Sequence, residues 1–549
     1  MSDSVSDRRT FLKRAGAAGA LIAGGVTIPG RAAAQDATVR PDPAAKRGGT
    51  LRYGVHTAPA HFDVHQSGTV ANIGAQSPMY DTLLRRSPKD GQTIIPDLAQ
   101  KWEISPDGKK YTFHLRKGVK FHDGADFTAE DVKATYERIV RPPKGIVIPR
   151  TPLFSTVGDI VVVDPHRIEF RLTEARPKAF MLGAFASGWN IMVRKKTLEE
   201  NQGNLRQVMA YPGTGPFKHV SRKDKEVWIQ ERNPDYWNKG LPLVDRLEIY
   251  HMMPFSAELG AAFLSGKLDY ARLLDPVSWR KAKEMPGVTA AAFNQSVIQA
   301  VWMNTKKNKA LADVRVRRAI HLAMDRHTLV EVVKDTAPMQ VGGFVYPFHE
   351  MSTPRAELEK KLGYQKDIKP AVQEARRLMK EAGYGQGIKG LDFVVRDANT
   401  FKLWAVAIQA MLKEHLNIEC NLRVVQISQW FDEVGGGNFD LGISAIVSSL
   451  MDPSDYFSAW YGKDGPQNYS YWTNPAFHDL ANQIERELDD SRRKTMVRKA
   501  EDILESDPPL IPVSYEQIYD AWYNKVHGQN PSTFFGIYDV VRWDNVWLG

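Results

Sequence analysis

The chain has 549 residues, of which 43% are hydrophobic and 25% are charged, and these proportions are typical of a soluble globular protein. A chain of this length is too long for one ordinary core, so we expect two or three domains. The formal net charge is +9, but basic and acidic residues are interspersed, and no long basic block with interleaved aromatic residues occurs. The composition therefore argues against nucleic acid as a partner.

Residues 1–34 have the order of an export signal. The motif Arg8 to Lys13 (RRTFLK) precedes a weakly apolar run, Ala15 to Ile28, and Ala32 to Ala34 offers a cleavage site of the A-x-A type. The run is too short for a permanent membrane anchor. The segment resembles a twin-arginine signal, an address that an export receptor reads, and so predicts a periplasmic protein. A basic disordered tail is the alternative.

The single cysteine, Cys420, lies in an alternating, strand-like run. Exported proteins commonly contain disulfides, but one cysteine cannot form an internal bridge, and it cannot hold a four-cysteine iron–sulfur cluster. We expect a buried structural thiol, with a nucleophilic cysteine as the alternative, and we expect no cofactor.

Residues 35–47 are polar and proline-rich and predict a disordered lead-in. Thr50 to Val55 then predicts the first strand, and the loop after it carries His56, His61 and His65. Imidazoles suit nickel, copper or zinc, but this spacing matches no strong metal pattern. Ordinary loop histidines are the preferred interpretation, and a metal site is the alternative.

The stretch from residue 76 to residue 139 predicts a helix, a β-hairpin and a second helix. The elements are a helix from Pro78 to Leu84, strands from Trp102 to Ile104 and from Lys110 to Leu115 around the turn Ser105 to Gly108, and a helix that begins after Thr128. Thr128 suits the N-cap, and Asp131 stands at the third helical position, where a capping box needs an acceptor.

Strands and helices alternate in the second half of the chain, which is typical of an α/β architecture. A buried strand, Ala300 to Asn304, precedes a helix that opens near Asp313. The other predicted strands are Leu391 to Val395, Ile418 to Ile427, Phe439 to Val447, Ile511 to Tyr515 and Tyr519 to Tyr523. The predicted helices are Phe401 to Leu416 and two segments between Phe477 and Leu504, and Gly435 to Gly437 reads as a loop.

Catalytic motifs are scarce. The sequence contains no H-E-x-x-H, no G-x-S-x-G and no G-x-x-x-x-G-K-[ST] pattern. Their absence favours a binding protein over an enzyme. An exported hydrolase or cofactor enzyme is the rival from another class, and it predicts turnover of a substrate.

The segment Pro96 to Ile139, PDLAQKWEISPDGKKYTFHLRKGVKFHDGADFTAEDVKATYERI, resembles the extracytoplasmic solute-binding proteins of ABC transporters that include dipeptide-, oligopeptide- and nickel-binding proteins. Further blocks agree in the order of that family: Gly213 to Phe217, Val314 to Arg317, Glu374 to Tyr384, Asp452-Pro453 and Ser506 to Pro512. The resemblance covers essentially the whole mature chain.

The resemblance implies an α/β, two-lobed periplasmic-binding-protein fold with an extra subdomain inserted in the first lobe and a hinge between the lobes. The implied division gives residues 48–66, 200–290 and 512–549 to lobe I, residues 67–199 to the inserted subdomain and residues 291–511 to lobe II. We expect the chain to cross between the lobes just before Gln299.

The implied function is that of a periplasmic, monomeric receptor that delivers a small solute to the inner-membrane permease subunits of an ABC importer. Hinge closure around the ligand is the implied mechanism, without covalent chemistry. A conventional di- or oligopeptide receptor of the same family is the alternative. A receptor that presents its ligand to a different partner is a third possibility.

Ligand contacts are implied in the loops at strand ends that face the cleft. They are Thr69 after the first strand, Asn399, Thr400, Phe401 and Trp404 after the Leu391 strand, Ser448, Ser449 and Met451 after the Phe439 strand, and Trp302 near the crossing. Trp302 and Trp404 also lie on apolar patterns, so core packing is the alternative for both.

Ser449 raises a question of specificity. In the peptide-binding members, an aspartate three residues before the acidic residue of a D/E-P pair receives the α-ammonium group of the peptide. Counting back from Asp452 gives Ser449, which carries no charge. We therefore expect a ligand that is neutral, anionic or anchored elsewhere, and not one held by a free peptide amino terminus. The alternatives are a register shifted by a residue or two, or substitution by Asp452 or Asp455.

Overall fold

The computed structural model describes residues 38–55, 58–67, 70–89, 91, 93–347, 349–447, 450, 452–465, 467–529 and 541–549. The export-signal segment lies outside the described residues. Within the described ranges, no helix is both long enough and apolar enough to span a bilayer.

Strands are distributed along the whole described chain. They are β1 (Thr50–Val55), β2 (Leu84–Arg86), β3 (Ile94–Pro96), β4 (Ala99–Ile104), β5 (Lys110–Leu115), β6 (Val157–Asp164), β7 (Arg167–Leu172), β8 (Phe217–Lys223), β9 (Val227–Arg232), β10 (Arg246–His251), β11 (Tyr270–Ala271), β12 (Val288–Met303), β13 (Met339–Gln340), β14 (Ile388–Arg396), β15 (Ile418–Val425), β16 (Leu441–Val447), β17 (Leu510–Tyr523), β18 (Val526–His527) and β19 (Trp547–Leu548).

Helices are concentrated in the second half. They are α1 (Val70–Gln76), α2 (Ala129–Val140), α3 (Lys178–Phe185), α4 (Lys195–Glu200), α5 (Ala257–Leu264), α6 (Pro276–Glu284), α7 (Lys309–Ala312), α8 (Val314–Leu322), α9 (Arg326–Val332), α10 (Arg355–Leu358), α11 (Lys369–Glu381), α12 (Asn399–Leu416), α13 (Ile427–Gly435), α14 (Pro453–Trp460), α15 (Pro475–Arg486) and α16 (Asp490–Ser506). Short 3-10 turns occupy Ser77–Met79 and Thr151–Phe154.

One sheet of eleven strands joins the two lobes in the described chain, in the order β15-β14-β16-β12-β17-β11-β1-β10-β9-β8, with β13 pairing to β17. We call the β1 and β8–β11 side the first lobe and the β14–β16 side the second lobe. Strand β12 pairs with β17 along its length, and its carboxyl-terminal half also pairs with β16. The β12–β17 register is irregular between Asn294 and Ile298. The chain therefore changes lobes within a single strand, just ahead of Gln299.

The second lobe has three layers because its sheet is apolar on both faces. One face packs on helices α7, α8, α9, α11 and α12, through residues such as Val301 and Phe393. The other face packs on α13 to α16, through residues such as Trp302 and Val394.

A separate four-stranded antiparallel sheet, β4-β5-β7-β6, is inserted in the chain between β1 and β8. With α2 and α3 it forms the inserted unit, which has its own core. Aromatic rings meet edge to face there: the centroid of Phe185 lies 4.8 Å from those of both Phe113 and Phe170. Such geometry lets rings pack with complementary charge distributions.

Local signals predicted several elements correctly. The amide of Thr128 donates to Asp131 Oδ2 at 2.9 Å at the start of α2. Asp313 caps α8 by accepting from the amide of Arg315 at 2.9 Å. Cys420 is buried, and burial raises the pKa of its thiol to about 12, as expected of a structural cysteine.

Three predicted elements were wrong. Pro78 to Leu84 is not a helix, because α1 ends at Gln76, a 3-10 turn follows, and Leu84 opens β2. Ile427 does not end a strand: it opens α13, which runs into Gly435. The two closing strands are one continuous strand, β17, because the residues between them keep pairing with β12.

Candidate ligand-binding cleft

The carboxyl ends of β14, β15 and β16 meet at one edge of the second lobe, because β14 runs parallel to both neighbours. Ligands of open α/β sheets commonly bind at such an edge. Strand β12 runs antiparallel to β16, so its irregular stretch before Ile298 lies at this same edge. The interlobe crossing and the strand ends therefore define one candidate cleft.

Arg396 and Glu516 place opposite charges at this cleft. Arg396 ends β14, and its guanidinium carbon lies 5.4 Å from the centroid of the Phe401 ring. In β17, Glu516 Oε2 accepts from Gln299 Nε2 at 3.4 Å. Burial raises the pKa of Glu516 to about 7, while the positive charge of Arg396 acts in the opposite direction. Neither charged residue was among the predicted contacts, because both strands carry other charged residues and the sequence does not single these two out.

An amide cluster occupies the crossing itself. Asn294 Oδ1 accepts from Gln340 Nε2 at 2.8 Å and from Gln517 Nε2 at 3.2 Å. The neighbouring Gln295 is only 1% exposed, and neither atom of its amide has a hydrogen-bond partner in the described chain. A buried polar group without a partner costs about 1–3 kcal/mol. Gln295 is thus available to a polar ligand group.

The two predicted tryptophans lie on opposite faces of the second-lobe sheet. Trp302 packs edge-on with Trp430 and Tyr469, at 5.5 and 5.7 Å, and its buried indole N–H has no acceptor in the described chain. Trp404 belongs to the core of the other face, and its indole N–H donates to Leu329 O at 2.8 Å. The structure therefore does not bring these two residues together.

The other predicted contacts divide into described and undescribed residues. Asn399, Thr400 and Phe401 form the first turn of α12, directly after Arg396 and its two-residue loop. Phe401 is 7% exposed, whereas Asn399 is exposed. The remaining predicted contacts lie outside the described residues, and these are Thr69, Ser448, Ser449 and Met451.

The loop after β16 reaches the inserted unit. Leu450 is 3% exposed and belongs to the core of that unit, which also contains Met181 and Phe185 of α3. Two ion pairs join the same regions: Arg176 Nη1 lies 3.0 Å from Glu485 Oε2, and Arg486 Nη2 lies 3.3 Å from Glu174 Oε2. The cleft is therefore closed on the side of the inserted unit.

The family model for bacterial extracellular solute-binding proteins, family 5 Middle, matches residues 93–468, which is more than half of the chain. The chain belongs to this family. The predicted family is thus confirmed, and with it the general function of a solute-binding receptor for an ABC importer.

Known proteins support the assignment. Di/tripeptide-binding protein 1 of Pseudomonas aeruginosa is 25% identical over 508 residues, which cover 87% of this chain and 91% of that protein. The periplasmic binding protein DppA from Helicobacter pylori, solved with the peptide STSA, has a TM-score of 0.75 at 24% identity and covers 92% of this chain and 98% of its own. The PBP AgaA from A. tumefaciens R10, solved with agropinic acid, has a TM-score of 0.76 at 23% identity, with coverages of 91% and 99%. These likenesses confirm the two-lobed α/β fold.

Asp452 of this family 5 protein is fully engaged within the second lobe. Arg493 Nη1 donates to its Oδ2 at 2.8 Å, and Arg493 Nη2 donates to its Oδ1. Its Oδ1 also accepts from the amide of Ser454 at 2.9 Å, which caps α14. Burial alone would raise the pKa of Asp452, but the charge of Arg493 holds it below its usual value. This carboxylate is therefore committed to a structural ion pair.

Two of the three histidines after the first strand, His61 and His65, have protein partners, and His56 lies outside the described residues. The Nε2 of His65 lies 2.9 Å from Ile191 O, and its Nδ1 lies 2.7 Å from Arg138 Nη1. Burial and the charge of Arg138 lower the pKa of His65 to about 3, so the ring is neutral. His61 Nδ1 lies 3.2 Å from the amide nitrogen of Asn72. In the described ranges, no group of three or more potential ligands is placed to hold a metal ion.

Proposed function

We propose that the chain is a periplasmic receptor that encloses one small solute between its lobes and delivers it to the permease subunits of an ABC importer. The observation that carries the proposal is that β12 and β17 pair in both lobes with an irregular register between Asn294 and Ile298, because such a two-stranded connection allows the lobes to rotate as units. A ligand that contacts both walls stabilises the closed form by its differential affinity. The chain acts as a monomer and performs no covalent chemistry.

The proposed ligand site consists of the loops that face the cleft and the charged and polar residues where the chain crosses between the lobes. From the family resemblance it includes Thr69, Trp302, Asn399, Thr400, Phe401, Ser448, Ser449 and Met451. We add Arg396, Glu516 and Gln295, because these polar groups lie at the cleft edge. We assign Trp404 to the core because its N–H is already paired. The domain limits follow the same reasoning, with residues 67–199 inserted in a first lobe and residues 291–511 forming the second.

The ligand is not anchored by a free peptide amino terminus at the usual position. Ser449 has no charge to offer, and Asp452 is occupied by Arg493, so one of the alternative carboxylates for that role is engaged elsewhere. Calorimetry with di- and tripeptides, each with a free or an acetylated amino terminus, tests this. We expect that no peptide in this panel will depend on a free amine for binding. Micromolar binding that acetylation abolishes would refute the idea. It would favour a conventional peptide receptor, which is what the names of the relatives suggest.

Export through the twin-arginine route completes the proposal. Arg8 and Arg9 stand at the position that this route reads. A fusion of residues 1–40 to a reporter should be exported, and replacement of both arginines by lysine should retain it in the cytoplasm. Unchanged export of the double variant would refute the assignment.

Native mass spectrometry of gently purified protein tests the receptor function itself. We expect one small molecule per chain, released unchanged on unfolding. Release of a converted product, or turnover of an added substrate, would favour the exported hydrolase instead.

A further inference from the structure

Seven arginine side chains are less than a tenth exposed in the described chain, and one of them differs from the rest. Five form a direct ion pair with an aspartate. A sixth, Arg326, donates to four backbone carbonyls, with the shortest contact at 2.6 Å to Gly363 O. The seventh, Arg150, has neither a carboxylate nor a comparable set of carbonyls.

Arg150 makes few contacts for a charge that is 4% exposed. Its Nη2 donates to the carbonyl oxygens of His65, at 3.2 Å, and of Ser67. Its Nε is buried without a hydrogen-bond partner among the described residues, and its guanidinium carbon lies 4.6 Å from the centroid of the Trp189 ring. Burial lowers the pKa of Arg150 to about 9, and within the described ranges no neighbouring acid opposes the shift. The side chain is still charged at neutral pH, in a place where an isolated charge is strongly unfavourable.

The position of Arg150 connects it to the cleft. Ser67 belongs to the loop that follows β1, at the carboxyl end of a strand that runs parallel to β10 and β11. This is the edge of the first lobe at which an α/β sheet commonly binds ligands. The same loop is held at Asp63 by Arg138, at 2.5 Å, which has its own counter-ion. The Arg138–Asp63 ion pair therefore already attaches this loop to the fold. The charge of Arg150 is not needed for that purpose and can serve another role.

We propose that Arg150, supported by Trp189, is the subsite for a carboxylate group of the ligand on the first-lobe wall of the cleft. A carboxylate accepts paired hydrogen bonds from a guanidinium and supplies the missing negative charge. The inference rests on the proposed function, because it assigns a chemical class to the solute enclosed in the cleft. Phosphate and sulfate share the charge, so the test has to separate them from carboxylates.

The test uses the full mature chain and four probes at matched ionic strength: acetate, succinate, phosphate and sulfate, with chloride as the reference. Thermal unfolding is followed for the native protein and for the variants Arg150→Gln and Arg150→Lys after exhaustive dialysis. We expect a carboxylate to raise the Tm of the native protein, Arg150→Lys to keep part of the shift, and Arg150→Gln to lose it.

Arg138→Gln is the matched control, because it removes an equally buried arginine that has a counter-ion. It should lower the Tm in every buffer by leaving Asp63 unpaired, whereas Arg150→Gln in chloride should unfold at or above the native temperature. A loss of Tm in Arg150→Gln that is equal in all buffers would make Arg150 a structural residue and overturn the proposal. A shift caused by phosphate or sulfate but by no carboxylate would also overturn it.

Native mass spectrometry separates this inference from the proposed function. Loss of a charge-assisted pair should reduce occupancy by the co-purified molecule about tenfold or more in Arg150→Gln. Equal occupancy in both proteins overturns the Arg150 subsite alone. Absence of any bound molecule from both proteins, in every preparation, overturns the receptor function as well.

Discussion

Arg542 and Arg150 are both almost completely buried, yet their surroundings are opposite. Arg542 donates to Asp81 Oδ1 and to Asp97 Oδ1, each at 2.8 Å, and also to Asp97 Oδ2 and Thr82 Oγ1, at 2.6 and 2.8 Å. In the part of the chain that the structure describes, Arg150 donates to only two carbonyl oxygens. A buried charge with counter-ions stabilises the fold, whereas a buried charge without one is a place where a ligand can supply the missing counter-ion.

The second lobe repeats this contrast with carboxylates. Asp452 is enclosed by Arg493 and a helix cap, while the side chain of Glu516 has a single long hydrogen bond, from Gln299, among the described residues. Charge that is fully paired should therefore affect stability, and charge that is partly paired should affect binding and its pH dependence. Four variants test that division.

Arg542→Gln should have the largest effect. It leaves Asp81 and Asp97 buried without their cation, and breaking such a network costs about 3–5 kcal/mol of unfolding free energy, measurable by urea denaturation. Burial alone would raise the pKa of Asp97, but Arg542 and Arg85 hold it below its usual value. The native protein should therefore lose this stabilisation as the pH falls into the acid range.

Burial already raises the pKa of Asp81 in the same network to about 7, so it is the contribution of Asp97 whose pH dependence should change sign in the Arg542 variant. The unpaired carboxyls then take up protons on folding, so the variant should be more stable at pH 5 than at pH 8. Arg315→Gln, which removes an exposed ion pair with Asp313, is the control and should leave the free energy of unfolding nearly unchanged. Equal losses at both pH values would contradict the account of Arg542.

Asp452→Asn should cost about 3 kcal/mol of unfolding free energy, because it leaves Arg493 buried with a neutral partner. The occupancy of the co-purified ligand, measured by native mass spectrometry below the unfolding transition, should not change. Loss of the ligand with stability preserved would instead make Asp452 the missing anchor.

The substitution Glu516→Gln should change the free energy of unfolding only at high pH. The folded-state pKa of about 7 lies above the unfolded value of about 4.3, so the stability that the neutral carboxyl contributes is complete below pH 4 and is lost as the pH rises through 7. The variant should match the native Tm at pH 4 and exceed it at pH 8, where its unfolding free energy should be higher by at most about 4 kcal/mol. Glu357→Gln, at an exposed ion pair, is the control, and a Tm difference for Glu516→Gln that does not vary with pH would contradict the prediction.

Glu485→Gln should have the smallest effect. It removes the ion pair with Arg176 that joins α15 to the inserted unit, and therefore weakens the closed form. We expect an increase in ligand dissociation rate of less than about fivefold, with unfolding free energy nearly unchanged. Glu359→Gln, which removes an ion pair within the second lobe, should leave the rate unchanged. Faster dissociation in both variants would show that the effect is not specific to the closure contact.

The sequence alone predicted those elements whose structure depends on residues nearby in the chain. The caps at Thr128 and Asp313 and the apolar stripe of α12 are local patterns, and the structure confirms the elements they predict. The segment from Pro78 to Leu84 could not be predicted this way, because every residue in it is buried and Asp81 and Thr82 bond to Arg542, far away in the chain.

The residues of the cleft could likewise be predicted only in part, because their positions depend on residues far away in the chain. The loop positions were implied by the resemblance, but the core that Trp302 enters depends on strand register, and the core that Trp404 enters depends on how its helix packs on the sheet. Likewise, the importance of Arg150 lies in the absence of a counter-ion, which only the spatial arrangement reveals.

Small-angle X-ray scattering tests closure of the lobes around a ligand most directly. The full mature chain would be measured as purified, after its bound molecule has been removed, and after that molecule has been added back. We predict a larger radius of gyration for the ligand-free protein and recovery of the compact value on re-addition. Identical scattering in all three states, with the ligand shown to bind, would contradict the account.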